Sequence, residues 1–175
     1  MDECHLLWGD ALGYVWGKTS ERVEVPIENE KQKPTYFGGV NLLTGATFVL
    51  PAATGNSEET FTFLKALRRG FQGRKLTIIW DGATYHRGQL IKDYLLRING
   101  NFPEEQWPIQ MIQFAPNAPE QNPMEDVWLL GKNLIRKNYP QLENFQKIKD
   151  FFLESIKNIS LQSEKFDWYG RLQIA

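Results

Sequence analysis

Residues 76–80 read Leu-Thr-Ile-Ile-Trp, a nearly unbroken apolar run that stops at Asp81 and Gly82. The run is too short for a helix and rich in β-branched and aromatic residues, so it predicts a strand buried on both faces. Such a strand needs helices on both sides of its sheet, which points the chain to an α/β architecture. The flanks agree. Upstream, Asn56 and Glu59 have capping-box spacing, and Phe61, Leu64, Leu67 and Phe71 follow at helical intervals, punctuated by Gly70 and Gly73. Downstream, a second helix is predicted over 88–98, broken at Asn99, Gly100 and Asn101, and a further strand over 109–114.

The first half reads as strands. A short apolar run covers 4–8. Val15 with Trp16 and Val23 with Val25 suggest an edge hairpin stopped by Pro26, and 28–34 is a polar loop. Runs over 36–43 and 46–50 are joined by Thr44 and Gly45, a hairpin signal. Late in the chain, Pro116 and Pro119 mark a rigid loop, and Asn122 and Pro123 fit the N-cap and first position of a helix. Pro140 separates that helix from a last amphipathic one over 142–159. The predicted fold is therefore α/β: a three-strand antiparallel meander plus two parallel strands, with helices on both faces. This order matches the RNase H fold. The 175 residues, without repeats or low-complexity linkers, fit a single domain.

Composition narrows the chemistry. Cys4 is the one cysteine, so no internal disulfide forms, and with two histidines it cannot complete a usual four-ligand zinc site. Cys4 beside His5 reads as a buried strand residue next to a polar one. No run approaches the roughly 20 apolar residues of a membrane span. Acidic residues follow Met1 at once, unlike a signal peptide, so a cytoplasmic location is the default expectation. The formal net charge of −1 means that any polyanion must be met by local basic patches.

Three acids stand out. Asp81 closes the buried strand, at the sheet end where ligands and metals are usually placed. Glu125 sits in the first turn of the helix after the proline-rich loop. Asp2 or Glu3, ahead of the first apolar run, can supply a third carboxylate. Hard cations such as Mg²⁺ take carboxylate oxygens, and a pair of them can serve a phosphodiester displacement. Each acid also fits a bland role on its own. Asp81 before Gly82 is turn chemistry; Glu125, three residues after Asn122, has capping-box spacing; Asp2 beside the terminus is a solvated acid.

The full motifs carry more. The segment 78–86, Ile-Ile-Trp-Asp-Gly-Ala-Thr-Tyr-His, resembles the first signature of mariner-like transposases. The segment 115–128, with Pro119, Asn122, Pro123, Glu125 and Trp128, resembles the same family's second signature, in which a Trp follows the Glu by three. Asp2 and Glu3 resemble its first-strand acidic pair, and 13–18 the aromatic and glycine segment after it. The best match is to bacterial insertion-sequence relatives of mariner, up to about Trp128. The resemblance implies a DDE transposase catalytic domain with a metal triad of Asp2, Asp81 and Glu125 holding two Mg²⁺ ions, Mn²⁺ being a usual substitute. It implies supporting roles for His86, Asn122 and Pro123. Trp128 and Leu129 are read as packing their helix on the sheet. Lys132, Arg136 and Lys137 are candidate phosphate contacts or a solvated basic face, as are Arg68, Arg69, Arg74 and Lys75. The implied partners are double-stranded DNA, as element ends and target, and a second copy in a homodimer.

Three departures from the family are visible. Gly82 stands where Asn often follows the second Asp. The stretch from Asp81 to Glu125 is longer than usual, the extra length lying around 99–107. Only Met1 precedes Asp2, so a truncated first strand is expected, as is absence of the upstream helix-turn-helix. Two alternatives follow: a catalytically inactive remnant acting at most as a DNA- or protein-binding module, and a stand-alone RNase H-like nuclease.

Overall fold

In the computed structural model, residues 1–11, 18, 20, 32–115, 118–157 and 159–169 are described, Trp168 by its backbone only. The edge hairpin expected around 15–25, most of the 13–18 segment and Pro116 lie outside them. The described elements are β1 (Asp2–His5), β2 (Thr35–Val40), β3 (Thr47–Ala52), α1 (Ser57–Gly70), β4 (Leu76–Trp80), α2 (Gln89–Asn99), β5 (Ile109–Gln113), α3 (Pro123–Asn138), α4 (Phe145–Lys157) and the short α5 (Lys165–Tyr169).

β2 pairs antiparallel with β1 on one side and β3 on the other, while β4 and β5 pair in parallel. This is the predicted meander plus parallel pair. The two blocks meet where the Met1 amine donates to the Ile79 carbonyl at 2.8 Å. Successive strand residues point to opposite faces, and Tyr36 and Phe37 of β2 show the consequence. Tyr36 packs edge-on against Phe152 of α4, with Trp128 of α3 in the same cluster. Phe37 packs against Phe63 of α1, in a cluster that includes Ile91 of α2 and Ile78 of β4. The sheet thus has helices on both faces.

Local hydrogen bonding moves several predicted boundaries. The first strand is Asp2–His5, not 4–8. Leu6 N–H donates to Pro34 O and Leu7 N–H to the Asp10 carboxylate at 2.7 Å, which turns Trp8–Ala11 into a 3₁₀ turn. β2 ends at Val40 because Asn41 forms the turn itself. Its side chain accepts from Leu43 N–H, and its carbonyl accepts from Gly45 N–H, where φ is +72° and glycine is the favoured residue. β3 continues through Pro51 to Ala52, which an edge strand tolerates. Within the longer stretch after α2, buried Asn99 bonds both Ile109 N–H and Ile109 O, tying the end of α2 to the start of β5.

Candidate active site

Asp2 lies in β1 opposite Gly38 and is buried. Its carboxylate accepts from Trp128 Nε1 at 2.9 Å. Burial pushes its pKa up to about 7, the nearby Glu125 charge adds to the rise, and the Trp128 hydrogen bond opposes it. Trp128 reaches Asp2 because Gly38 has no side chain. A Cβ at Gly38 would meet Met124 Cε and the Trp128 ring inside contact distance. We therefore expect Gly38→Val to overpack the β2–α3 contact by about 1–3 kcal/mol and to lower the melting temperature by about 5 °C. A thermal melt within a degree of the parent protein would show that Trp128 relocates without cost.

Asp81 follows β4 directly. Its Oδ1 accepts from Ala83 N–H at 3.0 Å, so the turn chemistry read from the sequence is present. The same oxygen lies 2.9 Å from His86 Nδ1, off the line of an ideal hydrogen bond, so the contact is chiefly electrostatic. His86 is buried in the 3₁₀ turn Thr84–Arg87 and stacks flat on Trp80, ring centroids 4.6 Å apart. Its Nε2 meets Glu3 Oε1 at 2.7 Å. Burial alone lowers an imidazole pKa; here the Asp81 and Glu3 carboxylates outweigh it and raise His86 to about 9. His86 in turn holds the Asp81 carboxyl below its ordinary value. The ligand atoms of Glu3, Asp81 and His86 lie within 4.8 Å of one another. Both His86 ring nitrogens face carboxylate oxygens, so the trio packs as an internal network in which each group already has a partner.

The sequence offers Glu3 as an alternative to Asp2; the structure pairs it with His86 instead. Period-two alternation contains the signal. Neighbouring residues of one strand face opposite ways, so Asp2 goes to the α3 side and Glu3 to the His86 side.

Glu125 lies in the first turn of α3 and is exposed. The expected cap forms, but not as a full capping box. Asn122 Oδ1 accepts from Met124 N–H at 3.1 Å, and Glu125 N–H goes to the Asn122 carbonyl at 3.2 Å. Pro123 occupies the first helical position as expected. Asp2, Asp81 and Glu125, with Asn122, Phe114, Ala118 and Pro119, line one open cavity of about 180 Å³. None of these lining residues is basic, and none offers nitrogen or sulfur of the kind that selects zinc. Buried Asp2 beside Glu125 is a concentration of negative charge on hard oxygen donors, which fits a divalent cation of the Mg²⁺ type.

The basic residues expected on α3 stand apart from this cavity. Lys132 begins seven positions beyond Glu125, roughly 10 Å along the helix axis, and pairs with Asp10 at 3.1 Å. Arg136 donates to Asn133, and Lys137 is exposed. Trp128 packs against the sheet as expected, but Leu129, one position on and so turned away from that face, is exposed. In the second basic cluster, Arg68 donates to Arg74 O and Lys75 to Glu105 O. Among the described residues, no helix is long and apolar enough to cross a membrane.

Comparison with known proteins bears on this arrangement. The family model described as DDE superfamily endonuclease matches residues 1–148. Among solved structures, the fold is similar to that of Mos1 transposase in a paired-end complex with the left transposon end, with a TM-score of 0.60 and 14% sequence identity. That match covers 97% of this chain and 49% of the Mos1 chain, so this chain spans about half of the Mos1 length. No curated protein sequence matches it.

Proposed function

The chain belongs to the DDE superfamily of endonucleases, and from that premise we propose that it catalyses metal-dependent strand cleavage and strand transfer on double-stranded DNA in transposition. One observation carries the reading. Three carboxylates from β1, the end of β4 and the first turn of α3 line a single cavity, and none of its other described lining residues is charged.

Asp2, Asp81 and Glu125 hold two Mg²⁺ ions in this reading, with Mn²⁺ as a substitute. When bound, the ions supply Lewis-acid stabilisation for an in-line displacement at a DNA phosphodiester. The rest is the work of the chain's own side chains. Trp128 fixes the Asp2 carboxylate through its indole N–H. The Ala83 N–H and the His86 imidazolium hold Asp81 ionised and directed. Asn122 and Pro123 start α3 so that Glu125 faces the cavity. Phe114, Ala118 and Pro119 give the cavity an apolar side that limits water around the reacting phosphate. Lys132, Arg136 and Lys137 extend the DNA contact along α3, Lys132 after leaving Asp10. Two copies act together on paired element ends in this reading; the similar Mos1 structure is a paired-end complex with a transposon end.

The test is nicking of supercoiled plasmid with Mg²⁺ or Mn²⁺, beside an RNA–DNA hybrid of equal length. The expected result is DNA nicking that EDTA abolishes and Glu125→Gln lowers at least a hundredfold. Nicking that persists in EDTA, or cleavage confined to the hybrid, removes this reading. A folded protein that binds DNA and cuts nothing with either ion leaves the inactive binding module in its place.

A further inference from the structure

The family match ends at residue 148, yet the chain beyond it returns to the cavity. At the end of α4, Thr47 Oγ1 donates to Ile156 O at 2.7 Å, and beyond the helix Leu161 N–H donates to Gly45 O at 2.9 Å, fastening the segment to the β2–β3 hairpin. It then runs to the start of α3. Ser163 Oγ donates to Asp126 Oδ2 at 3.1 Å, and Lys165 Nζ lies 2.7 Å from Asp126 Oδ1 and 3.5 Å from Asn122 O. Tyr169 O–H donates to Gln121 O at 2.6 Å, and its ring stands edge-on to Phe114, a wall of the cavity.

These contacts fall on one short stretch of backbone. Asn122 O, which Lys165 approaches, is the acceptor of the Glu125 N–H. Asp126, which Lys165 and Ser163 grip, is the residue after Glu125. Gln121 is the residue before the N-cap. Gln121 O lies before the helix and would otherwise face solvent, and first turns are where a helix frays most easily. We propose that residues 163–169 are a strap that sets the direction of Glu125, with Lys165 and Tyr169 as positioning residues. The inference rests on the reading that Glu125 is one of the metal-holding carboxylates. A cation site needs its ligands held to within a fraction of an ångström, and the strap holds the backbone on either side of Glu125.

The experiment measures Mn²⁺ binding to the full chain by electron paramagnetic resonance, with far-ultraviolet circular dichroism and amide exchange at residues 119–125 read in parallel. Tyr169→Phe removes only a hydroxyl, and Lys165→Met only a charge of similar length. Each is expected to weaken Mn²⁺ binding about tenfold and to speed amide exchange at 121–125, with the circular dichroism spectrum unchanged. Lys165→Arg restores binding to within about twofold, since the guanidinium still reaches Asp126. Glu125→Gln serves as the reference. If it weakens Mn²⁺ binding while Tyr169→Phe and Lys165→Met bind as the parent does, the strap is overturned and the carboxylate reading stands. If Glu125→Gln itself binds Mn²⁺ as tightly as the parent, the carboxylate reading falls, and the strap with it.

Discussion

Asp81→Asn is expected to reduce metal-dependent DNA nicking by about a thousandfold or more while leaving the fold intact. The substitution conserves shape, and the Asn oxygen can keep the Ala83 N–H bond that closes the turn after β4. What it removes is a full negative charge at a position that His86 keeps ionised. Charge stabilisation at a metal-held phosphoryl centre is worth several kcal/mol, and about 4 kcal/mol corresponds to a thousandfold in rate. A second readout separates this from misfolding. His86 owes its raised pKa, about 9 against the lowering effect of burial, to Asp81 and Glu3 together. Without the Asp81 charge, the His86 imidazole titrates at distinctly lower pH, which a nuclear magnetic resonance titration of its ring protons follows. A variant that nicks DNA like the parent removes Asp81 from the chemistry. A His86 titration that stays at about 9 removes the ion-pair network.

Asp2→Asn is expected to stabilise the metal-free protein at neutral and alkaline pH. The native state pushes the Asp2 pKa up to about 7 from an ordinary 3.8, burial being the largest cause and Glu125 the next. The folded protein therefore holds this proton more tightly than the unfolded chain. Stability falls as pH rises from about 4 to about 7, and the whole penalty is present above 7. At roughly 1.4 kcal/mol for each unit, the ceiling is on the order of 4 kcal/mol. Asn keeps an oxygen for Trp128 Nε1 and carries no charge. In EDTA at pH 8 the variant should melt about 5–10 °C above the parent, with the gap closing toward pH 4. Saturating Mg²⁺ should raise the parent by several degrees and the variant by much less. A variant less stable than the parent at pH 8 contradicts the burial penalty. An equal Mg²⁺ response in both proteins removes Asp2 as a ligand.

Much of this was legible along the chain. The apolar run before Asp81 is a strand, Asn56 caps α1 through Glu59 N–H as its spacing predicts, and Asn122 with Pro123 opens α3. The hairpin was legible too, though Asn41 ended β2 three residues early through its own side chain. Gly38 carried no local signal at all. Its need to be small arises from Met124 and Trp128, far away in sequence.

Propensity, capping and turn chemistry act between residues a few positions apart, so the order and type of β1 to α4 and the candidate acids were readable along the chain, while the short α5 was not. Tertiary structure alone decided what each side chain meets. The Trp128 bond to Asp2 spans 126 positions and the Glu3 contact with His86 spans 83. The grip of Lys165 on Asp126 spans 39. Periodicity reports which face of an element is buried; what covers that face depends on how sheet and helices pack.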